Sequence, residues 1–207
     1  MKEDIFEGGK MLPLMEEFYS LQGEGYNTGK AAYFVRIGGC DVGCAWCDTK
    51  PSWSRDKFPP TLADEVVHRV ANTAAKTIVV TGGEPSMYEL DYFTDRLKEQ
   101  GITTMIETSG AYYLTGKWDW VCLSPKKQSP PTDEIFKKAH ELKVVIPDLD
   151  TLKWAEDCAS KVNENCKLYL QPEWSVAAEI MDDLVEFIKE NPKWQMSLQA
   201  HKYMRIP

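Results

Sequence analysis

Residues 32–47 read AYFVRIGGCDVGCAWC and join a predicted β-strand to a loop that contains three cysteines. The strand, Ala32–Ile37, is rich in β-branched and aromatic residues. Cys40, Cys44 and Cys47 follow it with the spacing C-x3-C-x2-C. A structural zinc site is closed by four ligands, whereas a protein-bound 4Fe-4S cluster usually has a cysteine thiolate on every iron. Three cysteines without a nearby fourth therefore indicate a 4Fe-4S cluster with one iron open to a small molecule.

Ligand number and spacing do not by themselves fix the metal at this loop. A zinc knuckle, completed by His68 or by a distant cysteine, is the alternative. The remaining cysteines, Cys122, Cys158 and Cys166, are scattered, and we expect them to be ordinary buried thiols. Because three of the six cysteines are clustered and no signal peptide is recognised, we expect a cytoplasmic protein without a disulfide framework.

Length, charge and hydropathy exclude several classes of protein. A chain of 207 residues fits a single domain, which we place at residues 1–207. The net charge of −8 argues against a nucleic-acid-binding protein, which would carry a basic patch. No apolar run approaches the ~20 residues of a transmembrane helix, so no membrane partner is expected.

Strands alternate with helices along the rest of the chain. Predicted strands lie near residues 77–80, 102–106, 118–123, 142–146 and 167–170, with a further short one at 196–198. Predicted helices lie near residues 62–75, 90–97, 132–141, 152–162 and 177–189, the first with Thr61 as its N-cap. This alternation predicts an α/β fold with a parallel sheet and right-handed crossovers. Because a complete eight-unit barrel needs ~250 residues, we expect a partial β/α barrel of about six parallel strands.

Polar and glycine-rich segments follow the predicted strands at their carboxyl ends. After the cysteine loop they are Thr81-Gly82-Gly83-Glu84-Pro85, Glu107-Thr108-Ser109-Gly110, Ser124-Pro125-Lys126, Gln171-Pro172-Glu173 and Gln199-Ala200-His201-Lys202. Parallel α/β folds place their sites at this end of the sheet. Each segment alone is weak evidence, because polar turns commonly connect strands. Their convergence with the cysteine loop predicts one site.

These motifs together resemble a known family of enzymes. Cys40-x3-Cys44-x2-Cys47 followed by Gly82-Gly83-Glu84-Pro85 is similar to the radical S-adenosylmethionine (SAM) superfamily. The segment FYSLQGEG at residues 18–25, the triplet Cys47-Asp48-Thr49 and the loops above narrow the resemblance to the 7-carboxy-7-deazaguanine synthases. The resemblance covers residues 16–207.

The resemblance implies an activity, cofactors and partners. A member of this family converts 6-carboxy-5,6,7,8-tetrahydropterin into 7-carboxy-7-deazaguanine with release of ammonia, on the route to deazapurine nucleosides such as queuosine. Its 4Fe-4S cluster cleaves SAM, and the 5′-deoxyadenosyl radical does the chemistry, so no catalytic side chain is expected. An external one-electron donor such as flavodoxin and a homodimer are also implied.

The resemblance further implies the roles of individual residues. The cluster ligands are Cys40, Cys44 and Cys47. The SAM-binding residues are Trp46, Cys47, Asp48, Gly83, Glu84, Ser109, Ser124, Pro125, Lys126, Gln171 and Pro172. The substrate-binding residues are Leu21, Gln22, Gly23, Arg36, Thr81 and Pro207. Thr49 binds Mg2+, a cation that prefers oxygen ligands; the alternative is a hydroxyl that only closes the turn.

The chemistry of the side chains supports two of these roles. Arg36 alternates with Val35 and Ile37 along the strand, and a guanidinium that faces a barrel interior needs an anion such as the substrate carboxylate. The alternative is an arginine in solvent or paired with a nearby glutamate. Gly83 lets the backbone approach SAM, and Glu84 can accept a hydrogen bond from its amino group; the alternative is an ordinary tight turn.

Two other classes of function remain open at this point. One is a glycyl-radical activase, a radical SAM enzyme whose substrate is a protein, against which the LQGEG segment, Arg36 and Thr49 argue. The other is a non-catalytic iron–sulfur or zinc protein, against which Gly82-Gly83-Glu84-Pro85 argues. Cleavage of SAM by the reconstituted protein separates the second class from an enzyme.

Overall fold

A nine-stranded sheet runs through the centre of the computed structural model, which describes residues 5–207. The strands are β1 (Met11–Leu21), β2 (Ala31–Ile37), β3 (Pro60–Leu62), β4 (Thr77–Gly82), β5 (Thr103–Thr108), β6 (Trp120–Leu123), β7 (Glu141–Ile146), β8 (Lys167–Pro172) and β9 (Trp194–Met196). Their order across the sheet is β3-β1-β2-β4-β5-β6-β7-β8-β9. Strands β2 and β4 to β9 are parallel, and β1 is antiparallel to β2 and β3. The sheet is open between β3 and β9, which confirms the predicted α/β fold and partial barrel.

The helices connect these strands in the βα pattern that the sequence predicted. They are α1 (Ala63–Ala71), α2 (Asp91–Glu99), α3 (Asp133–Lys138), α4 (Thr151–Ala159), α5 (Ala177–Glu190) and α6 (Ala200–Met204). Short 3-10 helices lie at Glu7–Gly9, Gly25–Asn27, Lys50–Trp53, Arg55–Lys57 and Pro85–Met87. In the described chain, no helix has both the length and the apolar composition needed to cross a membrane.

The two faces of the sheet have different environments. Val35 and Ile37 of β2 pack into the main hydrophobic core together with Phe93 of α2. Successive side chains of a strand point to opposite faces. Phe34 accordingly belongs to a separate small cluster, and Arg36 shares its face. The helices therefore cover one face of the sheet, and the other face is left for a site.

Two strands were not predicted, β1 and β3. The sequence of β1, MLPLMEEFYSL, lacks a clean alternation of apolar and polar residues, and its pairing with β2 is irregular between Leu14 and Glu16. Proline at position 13 also argues against a strand from sequence alone. Because β1 lies beside β2, the first parallel strand is not an edge of the sheet.

Several predicted boundaries were wrong, among them that of the helix predicted for residues 152–162, which ends at Ala159. Thr61 is not an N-cap, because it lies in β3, and Leu62 precedes α1 without a side-chain cap. That helix ends at Ala71 rather than at residue 75. The helix predicted for residues 132–141 ends at Lys138. Glu141 instead begins β7, because the chain there pairs with β6 and β8.

Candidate active site

A cavity of about 280 Å³ lies at the carboxyl ends of the parallel strands. Its walls come from the segments that follow β1, β2, β4, β5, β6 and β8 and from the C-terminal segment. Every residue that the sequence assigned to the site lines this cavity except Pro125. The structure therefore brings the predicted residues together around one space, while their individual roles stay predictions.

The cysteine loop is fixed to the scaffold by backbone hydrogen bonds. Gly39 N donates to Ser52 O at 2.7 Å, and Cys40 N donates to Trp53 O at 3.1 Å. Both acceptors belong to the 3-10 helix Lys50–Trp53, which follows the loop. The loop is thus bonded to the 3-10 helix that follows it in the chain, and its three cysteines line the cavity.

The cysteine thiols are free and lie beside one half-buried cation, Lys126. Burial raises the pKa of the Cys40 and Cys44 thiols, and the nearby Lys126 ammonium acts against this effect at Cys44. Desolvation lowers the pKa of Lys126 itself. Its Nζ lies 5.4 Å from the centre of the Trp46 ring and donates to Ser124 Oγ at 2.7 Å. This corner of the cavity therefore offers soft sulfur ligands with a positive charge beside them.

The glycine pair after β4 packs against the cysteine loop without room for a side chain. Gly83 N donates to Ile37 O and Glu84 N donates to Gly39 O, both at 2.8 Å. A Cβ at Gly83 would lie 2.2 Å from Gly39 O. Gly82 has φ +141°, and a Cβ there would lie 2.1 Å from Ile37 O. Glycine is required here because the two loops touch backbone to backbone.

The buried Glu84 side chain joins the loops after β4 and β5 through hydrogen bonds. Its carboxylate accepts four hydrogen bonds, from Ser86 N at 3.0 Å, Ser86 Oγ at 2.6 Å, Ser109 N at 2.7 Å and the Thr108 hydroxyl. The side chain is 2% exposed. The predicted bond from Glu84 to a SAM amino group would therefore add to a carboxylate that already organises two loops.

Arg36 faces the cavity from β2 and pairs with Glu16 of β1. Its Nε donates to Glu16 Oε1 at 2.7 Å, and the two side chains are 20% and 46% exposed. Pairs this accessible are worth about 0–1 kcal/mol. A guanidinium has five N–H donors, and this bond uses only Nε. Arg36 therefore has the glutamate partner that one interpretation expected, while its contact with a substrate carboxylate stays a prediction.

The floor of the cavity carries buried and half-buried charges of both signs. The Lys143 ammonium, on β7, contacts the Glu24 carboxylate. Glu24 also accepts from Gln199 Nε2 at 2.9 Å. Burial raises the pKa of Glu24, but Lys143 and hydrogen bonds outweigh this effect and lower the pKa to about 2. Next to this pair, Glu107 accepts from Gln22 Nε2 at 2.9 Å.

Sequence reasoning missed Lys143 and the roles of Glu24 and Glu107. Lys143 lies within the apolar run LKVVI, where a lone lysine was a signal that something must balance its charge. Glu24 and Glu107 were quoted only as parts of motifs. The contact of Glu24 with Lys143 joins segments that are more than a hundred residues apart, and no local pattern predicts such a contact.

The C-terminal segment closes one side of the cavity. Ala200 N, at the start of α6, donates to Gly23 O at 2.8 Å, and a Cβ at Gly23 would lie 2.4 Å from His201 Nδ1. Pro207 lines the cavity, and its carbonyl accepts from Ser20 Oγ at 3.4 Å. The LQGEG segment and the chain's end therefore form one wall.

Thr49 and Asp48 lie at the cavity next to the last cysteine of the loop. Thr49 Oγ1 donates to Asp48 Oδ1 at 3.0 Å, and the Thr49 carbonyl accepts from Ser52 N at 2.9 Å. These two side chains place oxygen atoms, the ligands that Mg2+ prefers, at the cavity wall. The hydroxyl is bonded to a side chain, not to the backbone as the turn-closing alternative required.

The zinc alternative finds no support in the position of His68. That histidine is exposed on α1, contacts Asn72 and is not part of the cavity wall. Within residues 5–207, no group of three or more His, Cys, Asp and Glu side chains converges on a single metal ion. Iron–sulfur clusters take one thiolate per iron, so their ligands need not meet at one point. Three soft thiols on one wall fit such a cluster.

Comparisons with known proteins agree with this site. Curated 7-carboxy-7-deazaguanine synthases from Flavobacterium psychrophilum and Synechocystis are 56% and 42% identical to the chain, over 97% and 94% of its length and 95% and 93% of theirs. The crystal structure of QueE from Escherichia coli is 29% identical and superimposes with a TM-score of 0.84, over 95% of this chain and 97% of that one. The Radical SAM superfamily model matches residues 34–121. The chain belongs to the 7-carboxy-7-deazaguanine synthase family of radical SAM enzymes.

Proposed function

We propose that this radical SAM enzyme converts 6-carboxy-5,6,7,8-tetrahydropterin into 7-carboxy-7-deazaguanine and ammonia. One observation carries the proposal: a single cavity has the cysteine loop on one wall and a row of charges of both signs across its floor. Its volume of about 280 Å³ is near the lower end of the roughly 300–1,000 Å³ of small-molecule sites. The names of the relatives support the same product.

The cluster and SAM would share the wall built by the cysteine loop. Cys40, Cys44 and Cys47 would hold the 4Fe-4S cluster and leave one iron for SAM. When bound, these two cofactors supply the one-electron cleavage that begins the reaction. The chain's contribution is to bind them, orient them and exclude water. The residues proposed to hold SAM are Trp46, Cys47, Asp48, Gly83, Glu84, Ser109, Ser124, Pro125, Lys126, Gln171 and Pro172.

The substrate would lie across the sheet face between Arg36 and the floor. The terminal nitrogens of Arg36 suit a carboxylate, which a guanidinium binds with two parallel hydrogen bonds. The backbone of Leu21 and Gly23, with the Gln22 side chain, offers polar groups to the edge of a pterin ring. Thr81 and the C-terminal Pro207 complete the proposed substrate contacts.

A magnesium ion beside Thr49 is the next part of the proposal. Mg2+ usually keeps several waters and takes few protein ligands, so one hydroxyl at the cavity wall suffices to anchor it. The neighbouring Asp48 carboxylate, 3.0 Å from the Thr49 hydroxyl, adds the negative charge that favours a cation there. The metal would orient the substrate and offset its charge.

We also propose the wider context of the enzyme. The reduced cluster needs an external one-electron donor, for which flavodoxin is our candidate. The net charge of −8 and the free cysteines support a cytoplasmic protein that does not bind nucleic acid. Residues 1–207 would form a single domain, and two copies would form a homodimer.

The test is product formation by the purified, anaerobically reconstituted enzyme. The protein is incubated with 6-carboxy-5,6,7,8-tetrahydropterin, SAM and dithionite, and mass spectrometry measures 7-carboxy-7-deazaguanine while a coupled assay measures ammonia. We expect both products in equal amounts, and none from the Cys44→Ala variant. If SAM is cleaved but the pterin is returned unchanged, the proposed substrate is wrong.

A further inference from the structure

Three glutamates and one lysine form a group of charges beneath the cavity, in which Glu141 and Lys143 are buried and Glu24 and Glu107 are half-buried. Glu24, Glu107 and Lys143 line the cavity itself, and Glu141 lies behind them on β7 and accepts from Trp120 Nε1 at 3.0 Å. Lys143 is 4% exposed. The group has three carboxylates and one ammonium, so a ligand that brings positive charge or N–H donors would complement it. We call Glu24 and Glu107 the acidic floor.

The acidic floor is held in a fixed arrangement by its neighbours. Glu24 accepts from the Lys143 ammonium and from Gln199, and Glu107 accepts from Gln22 at 2.9 Å and from Thr81 Oγ1 at 3.4 Å. The Glu24 backbone N–H donates to Gln22 Oε1 at 3.1 Å. Gln22 thus links the Glu107 carboxylate to the Glu24 backbone, and both glutamates line the cavity.

We propose that Lys143 is a positioning residue: it holds Glu24 and Glu107 as hydrogen-bond acceptors at the cavity floor, and so selects a ligand edge rich in N–H donors. The 2-amino-4-oxopyrimidine edge of a pterin is such an edge, and the inference rests on the function proposed above. Without Lys143, the Glu24 carboxylate loses its ion-pair partner and takes up a proton or turns away, because an unpaired charge that is shielded from water is costly. A protonated carboxyl presents a donor where the ligand needs an acceptor.

The charges around Lys143 support this role. Burial would lower the pKa of Lys143, but Glu107, Glu24, Cys122 and Glu141 outweigh burial and hold the pKa well above its usual range. Lys143 therefore stays an ammonium throughout the working pH range. The other charged groups nearby are Lys126, which is electrostatically coupled to Lys143, and Asp48 and Lys202, which both reach Glu24 through Gln199.

The test measures discrimination between two unreactive ligands that differ in one group. Pterin-6-carboxylic acid has the 2-amino donor, and lumazine-6-carboxylic acid has an oxygen in its place. Dissociation constants of both are measured by fluorescence with the anaerobic, cluster-loaded enzyme and SAM. Because a hydrogen bond to a charged group is worth about 1.5–3 kcal/mol, we expect the wild type to prefer the pterin roughly tenfold or more.

Lys143→Met should remove most of that preference. If Lys143 had a merely structural role, its replacement would weaken the binding of both ligands equally and leave the ratio of their dissociation constants unchanged. Lys143→Arg keeps the charge and should keep the preference. Lys189→Met, which removes an exposed ion pair with Glu186 on α5, is the matched control and should behave as wild type. If Lys143→Met does not fold, Glu24→Gln decides, because it removes one acceptor and leaves Lys143 in place.

The possible outcomes separate this inference from the proposed function. A wild type that binds neither ligand contradicts the proposed substrate class, and the inference fails with it. A wild type that prefers the pterin, together with a Lys143→Met or Glu24→Gln variant that keeps the same ratio, overturns the role of Lys143 alone. Loss of the preference in Lys143→Met with its retention in Lys143→Arg supports it.

Discussion

Replacing Glu84 with glutamine should destabilise the folded protein and not only weaken its binding of SAM. The carboxylate accepts from two backbone N–H groups, those of Ser86 and Ser109, one on each oxygen. A glutamine amide has one oxygen and one NH2 group. Whichever way it is turned, an NH2 group therefore faces a backbone N–H that loses its acceptor.

The cost follows from the burial of these groups. A buried donor without a partner costs about 1–3 kcal/mol, and the hydrogen bonds that remain lose the assistance of a full charge. Hydroxyls can rotate to accept from the amide, so the bonds to Ser86 Oγ and Thr108 weaken without being lost. The expected decrease in the free energy of unfolding is about 2–4 kcal/mol.

Urea unfolding of the apo protein, followed by circular dichroism, measures this decrease without any cofactor. Glu89→Gln is the control, because Glu89 lies in the same segment but is exposed, and it accepts from Gly8 N at 3.1 Å. We expect that control to change stability by less than about 0.5 kcal/mol. SAM binding is then measured for both variants after reconstitution.

A different pattern would refute this reasoning. If Glu84→Gln unfolds at the same urea concentration as wild type but no longer binds SAM, then Glu84 is a SAM ligand and does not stabilise the contact between the two loops. A Thr108→Val variant checks the same network from the other side. It removes one hydroxyl donor to Glu84 and the acceptor of Gly110 N, so it should cost about 1–3 kcal/mol.

Four further outcomes are expected. Alanine at Cys40, Cys44 or Cys47 should abolish the cluster's absorbance and SAM cleavage, whereas alanine at Cys122 should leave the cluster in place; loss of the cluster from a folded Cys122 variant would contradict the ligand assignment. Arg36→Ala should lower turnover by roughly a hundredfold with SAM binding unchanged, as loss of a charge-assisted bidentate contact predicts; equal loss of both would mean that Arg36 is structural. Turnover by wild type should fall after chelation and recover with Mg2+, and Thr49→Ala should not respond; indifference of wild type to Mg2+ excludes the metal. Finally, the folded state lowers the pKa of Glu24 to about 2 from 4.5. Its carboxylate therefore stabilises the fold above about pH 4.5, and that contribution is lost as pH falls toward 2. In urea unfolding, the stability advantage of wild type over Glu24→Gln should shrink across this pH range, and a constant difference would refute the prediction.

The parallel half of the fold was accessible from sequence because its strands are short, buried and β-branched. Strand β4 contains the short β-branched apolar run Ile-Val-Val and β7 the run Val-Val-Ile, a pattern typical of buried strands. Strand β1 was not accessible, because its polar residues Glu16 and Glu17 pair with Arg36 and Arg69 of other elements. Those partners make a strand possible where the local pattern opposes one.

The residues of the candidate site likewise fall into those that the sequence predicts and those that it does not. Residues that act through backbone geometry, such as Gly83, or through metal chemistry, such as the three cysteines, leave motifs that can be recognised. Lys143 belongs to no recognisable motif, because its role depends on an ion pair with Glu24 that forms only in the folded sheet. Long-range charge pairs are a property of the fold and not of the local sequence.

The register of the sheet orders the charges of the site into one row. Glu16 of β1 pairs with Arg36 of β2, Arg36 pairs with Thr81 of β4, and the Thr81 hydroxyl contacts Glu107 of β5. Neighbouring strands lie ~4.8 Å apart, so Arg36 and Glu107 are separated by about 10 Å across the cavity face. A ligand with a carboxylate at one end and N–H donors at the other satisfies both residues in a single orientation, because reversing it would set carboxylate against carboxylate. If the proposed substrate binds here, the order of strands in the sheet, and not only the identity of the side chains, would fix which of its ends faces the cysteine loop.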